Sequence, residues 1–313
     1  MAQGRRADRA EAGKEENLSG APDAARATLR GALWMSGTVL SFCAMAIAAR
    51  ELLGHMGTFE ILFFRTGVAW LIVMAFAMHT GFATLKTRRI GLHLWRNAVH
   101  MGGQASWVYA LGMLPLAMVF AIEFTMPIWV ALLAVLFLGE RMNRGRVVML
   151  VLGLAGVLVI LRPGFAIVQP AALVMLMGSL FFAIQMISTK QLARTESPMA
   201  VLFWMSVIQT PFCLAVAWPG WVAPQPPDWP WIAGIGIGSF TAHYCLTRAM
   251  RIADATVVVP VDFFRLPLIA AVGAVFYAEA FDPAVILGAV MIFAGVYYSI
   301  SRESRRLRPA SIG

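Results

Sequence analysis

Charge is scarce in this chain. Asp, Glu, Lys and Arg make up 13% of its 313 residues, about half the share of a soluble domain, which excludes a water-facing surface over most of its length. Cysteine is nearly absent: Cys43, Cys213 and Cys245 each fall inside an apolar run, so they read as small packing residues and imply no disulfide framework. The sequence also lacks HExxH, clustered aspartates of the prenyl-diphosphate-binding kind and a Walker loop. Its histidines, His55, His79, His93, His100 and His243, are scattered over different runs and loops, which is poor spacing for a metal. The absences point away from an enzyme and from a resident metal or cofactor. ATP-driven transport would need a nucleotide-binding domain elsewhere, and no such subunit is expected.

What is present is oil. Hydrophobic residues are 60% of the chain, gathered into ten apolar runs at about 31–51, 58–78, 94–114, 116–138, 147–162, 168–189, 199–218, 231–250, 257–278 and 283–300. Each approaches the roughly 20 residues that cross hydrocarbon as a helix. The first lies behind a polar tail of about 30 residues, so it is not a secretory signal. The expected fold is an all-α membrane protein of ten transmembrane helices, with residues 1–30 a disordered cytoplasmic tail and 301–313 a basic cytoplasmic tail.

The net charge of +9 is a topology signal and not a nucleic-acid footprint. On the face shared with the N-terminus lie six Lys and Arg in the N-tail, four from Lys86 to Arg96 and three from Arg141 to Arg146. The same face holds Lys190, Arg194, Arg248, Arg251 and four in the C-tail, whereas the other keeps Arg50 and Arg162. This bias places both termini in the cytoplasm, and the expected setting is the inner membrane of a bacterium. Trp218, Trp221, Trp229 and Trp231 crowd the Lys- and Arg-poor side, where indoles favour the membrane–water interface.

The chain also repeats itself. A shift of 139 residues carries Phe64 onto Phe203, Gln104 onto His243 and Glu123-Phe124 onto Asp262-Phe263. It likewise carries Gly139-Glu140 onto Ala278-Glu279 and Ala155-Gly-Val157 onto Ala294-Gly-Val296, while Pro127 and Pro267 miss by one position. Residues 31–162 and 168–300 thus form two five-helix repeats. An odd number of helices inserts the copies from opposite faces, the inverted architecture of secondary transporters around a central cavity. It also predicts Glu123 in the outer half of its helix and Asp262 in the inner half of its own.

At Leu114-Pro115-Leu-Ala117, Pro127, Leu138-Gly-Glu140 and Gly153-Leu-Ala-Gly-Val157 the sequence resembles the EamA-like members of the drug/metabolite transporter superfamily. The second copy adds Ala253-Asp-Ala255, Pro267, Ala278-Glu279, Gly288 and Ala294-Gly-Val296. Ala278 departs from the usual Gly-Glu. The resemblance covers nearly all the chain after the N-tail and implies a ten-helix carrier that moves small organic metabolites without ATP. Fold alone does not supply the substrate.

Ionisable groups inside the apolar runs are the candidate machinery, because each is costly in hydrocarbon. Arg65 and Glu123 share a depth and are expected to pair. Asp262 and Arg265 lie three apart, on one helical face, between Pro260 and Pro267. These pairs either couple a proton to transport or only brace the helices. Asn97, His100, Gln104 and Trp107 form one helical stripe, as do Gly236, Ser239, His243 and Thr247. From these stripes Gln104, Trp107 and His243 are read as cavity-lining, together with Gln185, Phe124, Trp204, Tyr244 and Phe263, while His100 is read as touching headgroups.

Together these features predict a secondary transporter exporting amino acids or related amphipathic compounds, since an aromatic cavity with paired charges suits a zwitterion. The alternative is uptake of a vitamin or nucleoside-like cofactor. A reading of another class is a membrane-embedded enzyme or lipid carrier. Partners are the small molecule and the bilayer, with a homodimer left open.

Overall fold

The computed structural model describes residues 2–138, 142–162, 169–192, 194–252 and 260–307, and among them every regular element is a helix. Gly139-Glu140, Arg141, the boundary at 168, Ala253-Asp-Ala255 and the end of the C-tail lie outside the described residues. The longer elements are α1 (Ala2–Leu52), α2 (Thr58–Thr80), α3 (Ile90–Met113), α4 (Leu116–Glu123), α5 (Met126–Leu138) and α6 (Arg144–Leu161). They continue as α7 (Pro170–Leu192), α8 (Pro198–Ala217), α9 (Trp229–Ile252), α10 (Arg265–Tyr277) and α11 (Pro283–Leu307). α1 runs back through the N-tail that was expected to be disordered; its Ala, Glu, Lys and Arg are all good helix formers.

Among the described residues, eight helical stretches are long and apolar enough to cross a membrane. α3 and α9 fall short of that standard, although ten crossings are expected. The reason is compositional: α3 carries His93, Arg96, Asn97, His100 and Gln104, all buried against the protein, and α9 carries Ser239, Thr241, His243, Thr247 and Arg248.

Packing follows the repeat. α1 packs on α9 and α7 on α3; α6 packs on α11, α2 on α8 and α4 on α10. Exchanging each helix for its counterpart 139 residues along maps the first four of these pairs, as a set, onto themselves; the counterpart of α4, at 255–262, lies mostly outside the described residues. The counterparts α6 and α11 run antiparallel, for Gly145 lies beside Ser299, Gly156 beside Gly288, and Arg162 pairs with Asp282. Equivalent helices running in opposite directions require a pseudo-two-fold axis across them, so the copies are inverted. The α6–α11 crossing depends on glycine: a Cβ on either Gly156 or Gly288 would lie 2.5 Å from the other's carbonyl oxygen, the close backbone approach that small residues permit between membrane helices.

Both repeats break a helix at the same place. α4 ends at Glu123 and α5 resumes at Met126, just before Pro127; a turn at Phe264 precedes α10, just before Pro267. Proline has no N–H and its ring collides with the carbonyl four residues back, which is Glu123 in one copy and Phe263 in the other.

α10 itself ends at Ala278 in the left-handed conformation, φ 51° and ψ 30°, and Glu279 N–H closes the turn on the Gly273 carbonyl at 3.0 Å. An L-residue is strained there and glycine is not. Ala278→Gly is therefore expected to stabilise the protein by about 1 kcal/mol, read as a higher thermal unfolding midpoint in detergent.

Candidate functional site

The broken helices deliver charge to the seam between the repeats. Arg265, the first residue of α10, donates through Nη1 to Glu123 Oε1 at 3.1 Å and through Nη2 to Asp262 Oδ2 at 3.2 Å. Trp107 Nε1 of α3 donates to the second oxygen of Glu123 at 2.8 Å. The Arg265 guanidinium carbon lies 4.7 Å from the Phe42 ring centre, 5.1 Å from Phe120 and 4.9 Å from Phe124. Aromatic faces and two carboxylates thus replace water around a buried cation. The repeat-equivalent Phe124 and Phe263 stack on each other, ring centres 4.2 Å apart, and Phe293 packs behind Phe263 at 4.4 Å.

The pair expected within Asp262–Arg265 forms. The pair expected between Arg65 and Glu123 does not: α4 packs on α10, which brings Arg265 to Glu123 and leaves Arg65, on α2, elsewhere. Nor do Glu123 and Asp262 occupy separate depths. Both touch one guanidinium, because each stands at the break of its helix and the two breaks face each other.

Of the other expected cavity residues, Gln104 is buried on α3 with its Oε1 unpartnered, and His243 meets Phe42 edge-on at 5.9 Å. Gln185 instead bonds Thr189 along its own helix at 2.9 Å. Trp204 donates to the Leu85 carbonyl at 3.0 Å, at one end of the molecule, because the 3-10 turn Phe82–Leu85 packs on α8. Tyr244 is 40% exposed; it stacks on Phe240, has Arg248 over its ring and meets Trp34 of α1 edge-on. His100 is not at the headgroups. α3 begins ten residues earlier at Ile90, and the buried His100 ring contacts Gln209 Nε2 at 2.9 Å.

Each end of the bundle carries a polar closure. At one, Arg50 donates to the carbonyls of Leu111 and Leu114 and to Glu279 Oε1 at 2.8 Å. Glu279 Oε2 accepts the Leu116 N–H at 2.9 Å, joining the Leu114-Pro115-Leu-Ala117 motif to the Ala278-Glu279 motif. Tyr277 donates to Glu51 at 2.7 Å. At the other, Glu196 meets His93 Nε2 at 2.5 Å and also Thr87, while Arg96 Nε donates to Thr189 at 2.9 Å. Neither closure was foreseen. The only trace of them in the sequence is isolated acids and bases at the ends of apolar runs.

Two inverted helical repeats, eight membrane-length helices and a charged junction between the copies define a polytopic membrane transporter. The EamA-like transporter family matches residues 29–162 and again residues 169–301, and the chain belongs to that family. A protein of Rickettsia felis named as an S-adenosylmethionine uptake transporter is 28% identical over 91% of this chain and 97% of its own length. A riboflavin transporter of Rhizobium johnstonii is 30% identical over 89% and 93%. The pseudopaline exporter CntI of Pseudomonas aeruginosa is 26% identical over 80% and 89%. A solved crystal structure shares the fold, with a TM-score of 0.61 at 18% identity, covering 91% of this chain and 99% of its own.

Proposed function

We propose that the protein is a secondary carrier that takes up a vitamin or nucleoside-like cofactor by alternating access of its two repeats. The observation that carries this reading is the Phe124–Phe263 stack, one ring from each repeat at 4.2 Å, beside the Glu123–Arg265–Asp262 cluster. Rings stacked across the seam part when the repeats rock, and a planar heteroaromatic ring fits between them with its π-face satisfied on both sides. The full-length relatives named for S-adenosylmethionine uptake and riboflavin transport support uptake of such a ring over amino-acid export. The relative named as an exporter keeps the outward direction in view.

Alternating access here uses ten crossings, α3 and α9 joining the other eight. At 24 residues each they extend about 36 Å, more than the roughly 30 Å of hydrocarbon. The uneven distribution of Lys and Arg supports cytoplasmic termini in a bacterial inner membrane. The Arg50–Glu279 closure then lies on the outer side and the His93–Glu196 closure on the inner.

Counterflow into proteoliposomes separates the substrates. Labelled S-adenosylmethionine or riboflavin should accumulate against internal unlabelled compound, while an amino-acid panel should not. Accumulation of amino acids alone would restore the export reading, and a chemically altered product would make the protein an enzyme.

A further inference from the structure

Among the described residues, Arg65 is a buried cation without a counterion. It lies on α2 at 1% exposure, and its Nε, Nη1 and Nη2 all lack a hydrogen-bond partner. The helices packed on α2 supply no carboxylate to it. Among the described side chains every acid is engaged elsewhere: Glu51 by Tyr277, Glu60 by the Val222 N–H, Glu123 and Asp262 by Arg265, Glu196 by His93. Asp228 holds His55, Glu279 holds Arg50, and Asp282 holds Arg162.

The groups that do surround α2 are basic or neutral. Arg96, His100 and His243 lie within electrostatic reach of Arg65 and of one another, with Cys213 on the α8 side. Three facing helices also present unsatisfied polar atoms. On α8, Thr210 donates to Thr66 at 2.9 Å, and Ser206 Oγ, four residues before it, and the adjacent Gln209 Oε1 are buried without partners. On α9, Gly236 abuts Val68, and Ser239 Oγ, one turn on, is buried and unpartnered. On α3, Gln104 Oε1 is in the same state. An isolated guanidinium in hydrocarbon and several idle dipoles on the elements around it are each costly. One incoming anion relieves the guanidinium and the two hydroxyls, and an N–H or O–H of the same molecule would satisfy the two glutamine oxygens.

We propose that Arg65 binds an anionic group, a carboxylate or a phosphate, of the transported molecule, with the Ser206 and Ser239 hydroxyls as further donors. The substrate is thereby an anionic or zwitterionic compound, its ring at the Phe124–Phe263 seam and its anion at Arg65. The planar fork of arginine suits either oxyanion by paired hydrogen bonds. This assignment rests on the carrier reading for its biological meaning, but the binding itself is measurable without transport.

The test uses the full-length protein purified in detergent, with sodium acetate and sodium phosphate as probes against sodium chloride at matched ionic strength. In wild type, the favoured oxyanion should raise the unfolding midpoint by about 3 °C at ten times its Kd, acetate marking a carboxylate site and phosphate a phosphoryl site. Arg65→Met should lose that increment, yet melt no lower than wild type in chloride, because an uncompensated charge has been replaced by an apolar chain. Arg65→Lys keeps the charge without the fork and should retain only part of the increment, and it decides the matter if the Met variant fails to fold. An equal increment in wild type and variants, or none in wild type, overturns the proposal. A normal anion response with no counterflow of any compound would overturn the carrier reading alone.

Discussion

Arg265→Met is expected to abolish transport, with flux in proteoliposomes falling at least ~100-fold, and to lower stability by about 3–5 kcal/mol, since removing one partner strands buried charge. Two carboxylates share this guanidinium, at 3.1 and 3.2 Å, and three aromatic rings close over it. Without it, Glu123 and Asp262 face each other in a low-dielectric seam with Trp107 as the remaining donor to Glu123. Arg265→Lys separates charge from geometry. A lysine keeps the positive charge but cannot fork to both acids, so stability should recover more than flux does. Full activity in Arg265→Met would remove the cluster from the mechanism.

Glu123→Gln is the second large effect, and it falls on pH dependence more than on folding. One guanidinium between two carboxylates leaves an excess negative charge when all three are ionised, and one proton cancels it. A proton is therefore the natural companion of a cargo that must cross the seam with this cluster. Glutamine keeps the shape and still accepts from Trp107, but leaves a neutral cluster of Arg265 and Asp262 that has no need of a proton. Flux in the variant should lose its dependence on the transmembrane pH gradient while the protein folds normally. Flux that tracks the gradient as in wild type would assign coupling elsewhere. Cys43, whose Sγ sits 3.9 Å from the Arg265 carbonyl oxygen, and Asp262 are the other titratable groups at the cluster.

Much of this arrangement was legible from the residues. The 139-residue shift identified Phe124 with Phe263 and Glu123 with Asp262, and the structure puts both pairs together at the seam. The three-residue spacing of Asp262 and Arg265 gave their contact, since neighbours on one helical face meet whatever surrounds them. The stripe Asn97, His100, Gln104 and Trp107 is buried throughout. What failed was partner choice between helices. Arg65 and Glu123 match in depth and charge, but depth does not say which helices touch, and α4 lies against α10. The same gap misplaced Trp204 and Tyr244: an aromatic beside a polar stripe faces inward or outward according to its neighbours. Phe42 carried no signal at all, being one phenylalanine among 20.

The two closures at the ends of the bundle differ in kind, and only one position relates them through the repeat. The residue 139 positions after Arg50 is Thr189, a hydroxyl that takes its bond from Arg96, so the second copy carries an acceptor where the first carries the guanidinium. Parting the first closure separates Arg50, whose charge is permanent, from Glu279. Parting the second draws the imidazole of His93 away from Glu196, whose carboxylate lies 2.5 Å from its Nε2. A molecule built as two halves of one pattern thus locks its two ends with unlike chemistry, a forked guanidinium at one and a ring nitrogen at the other.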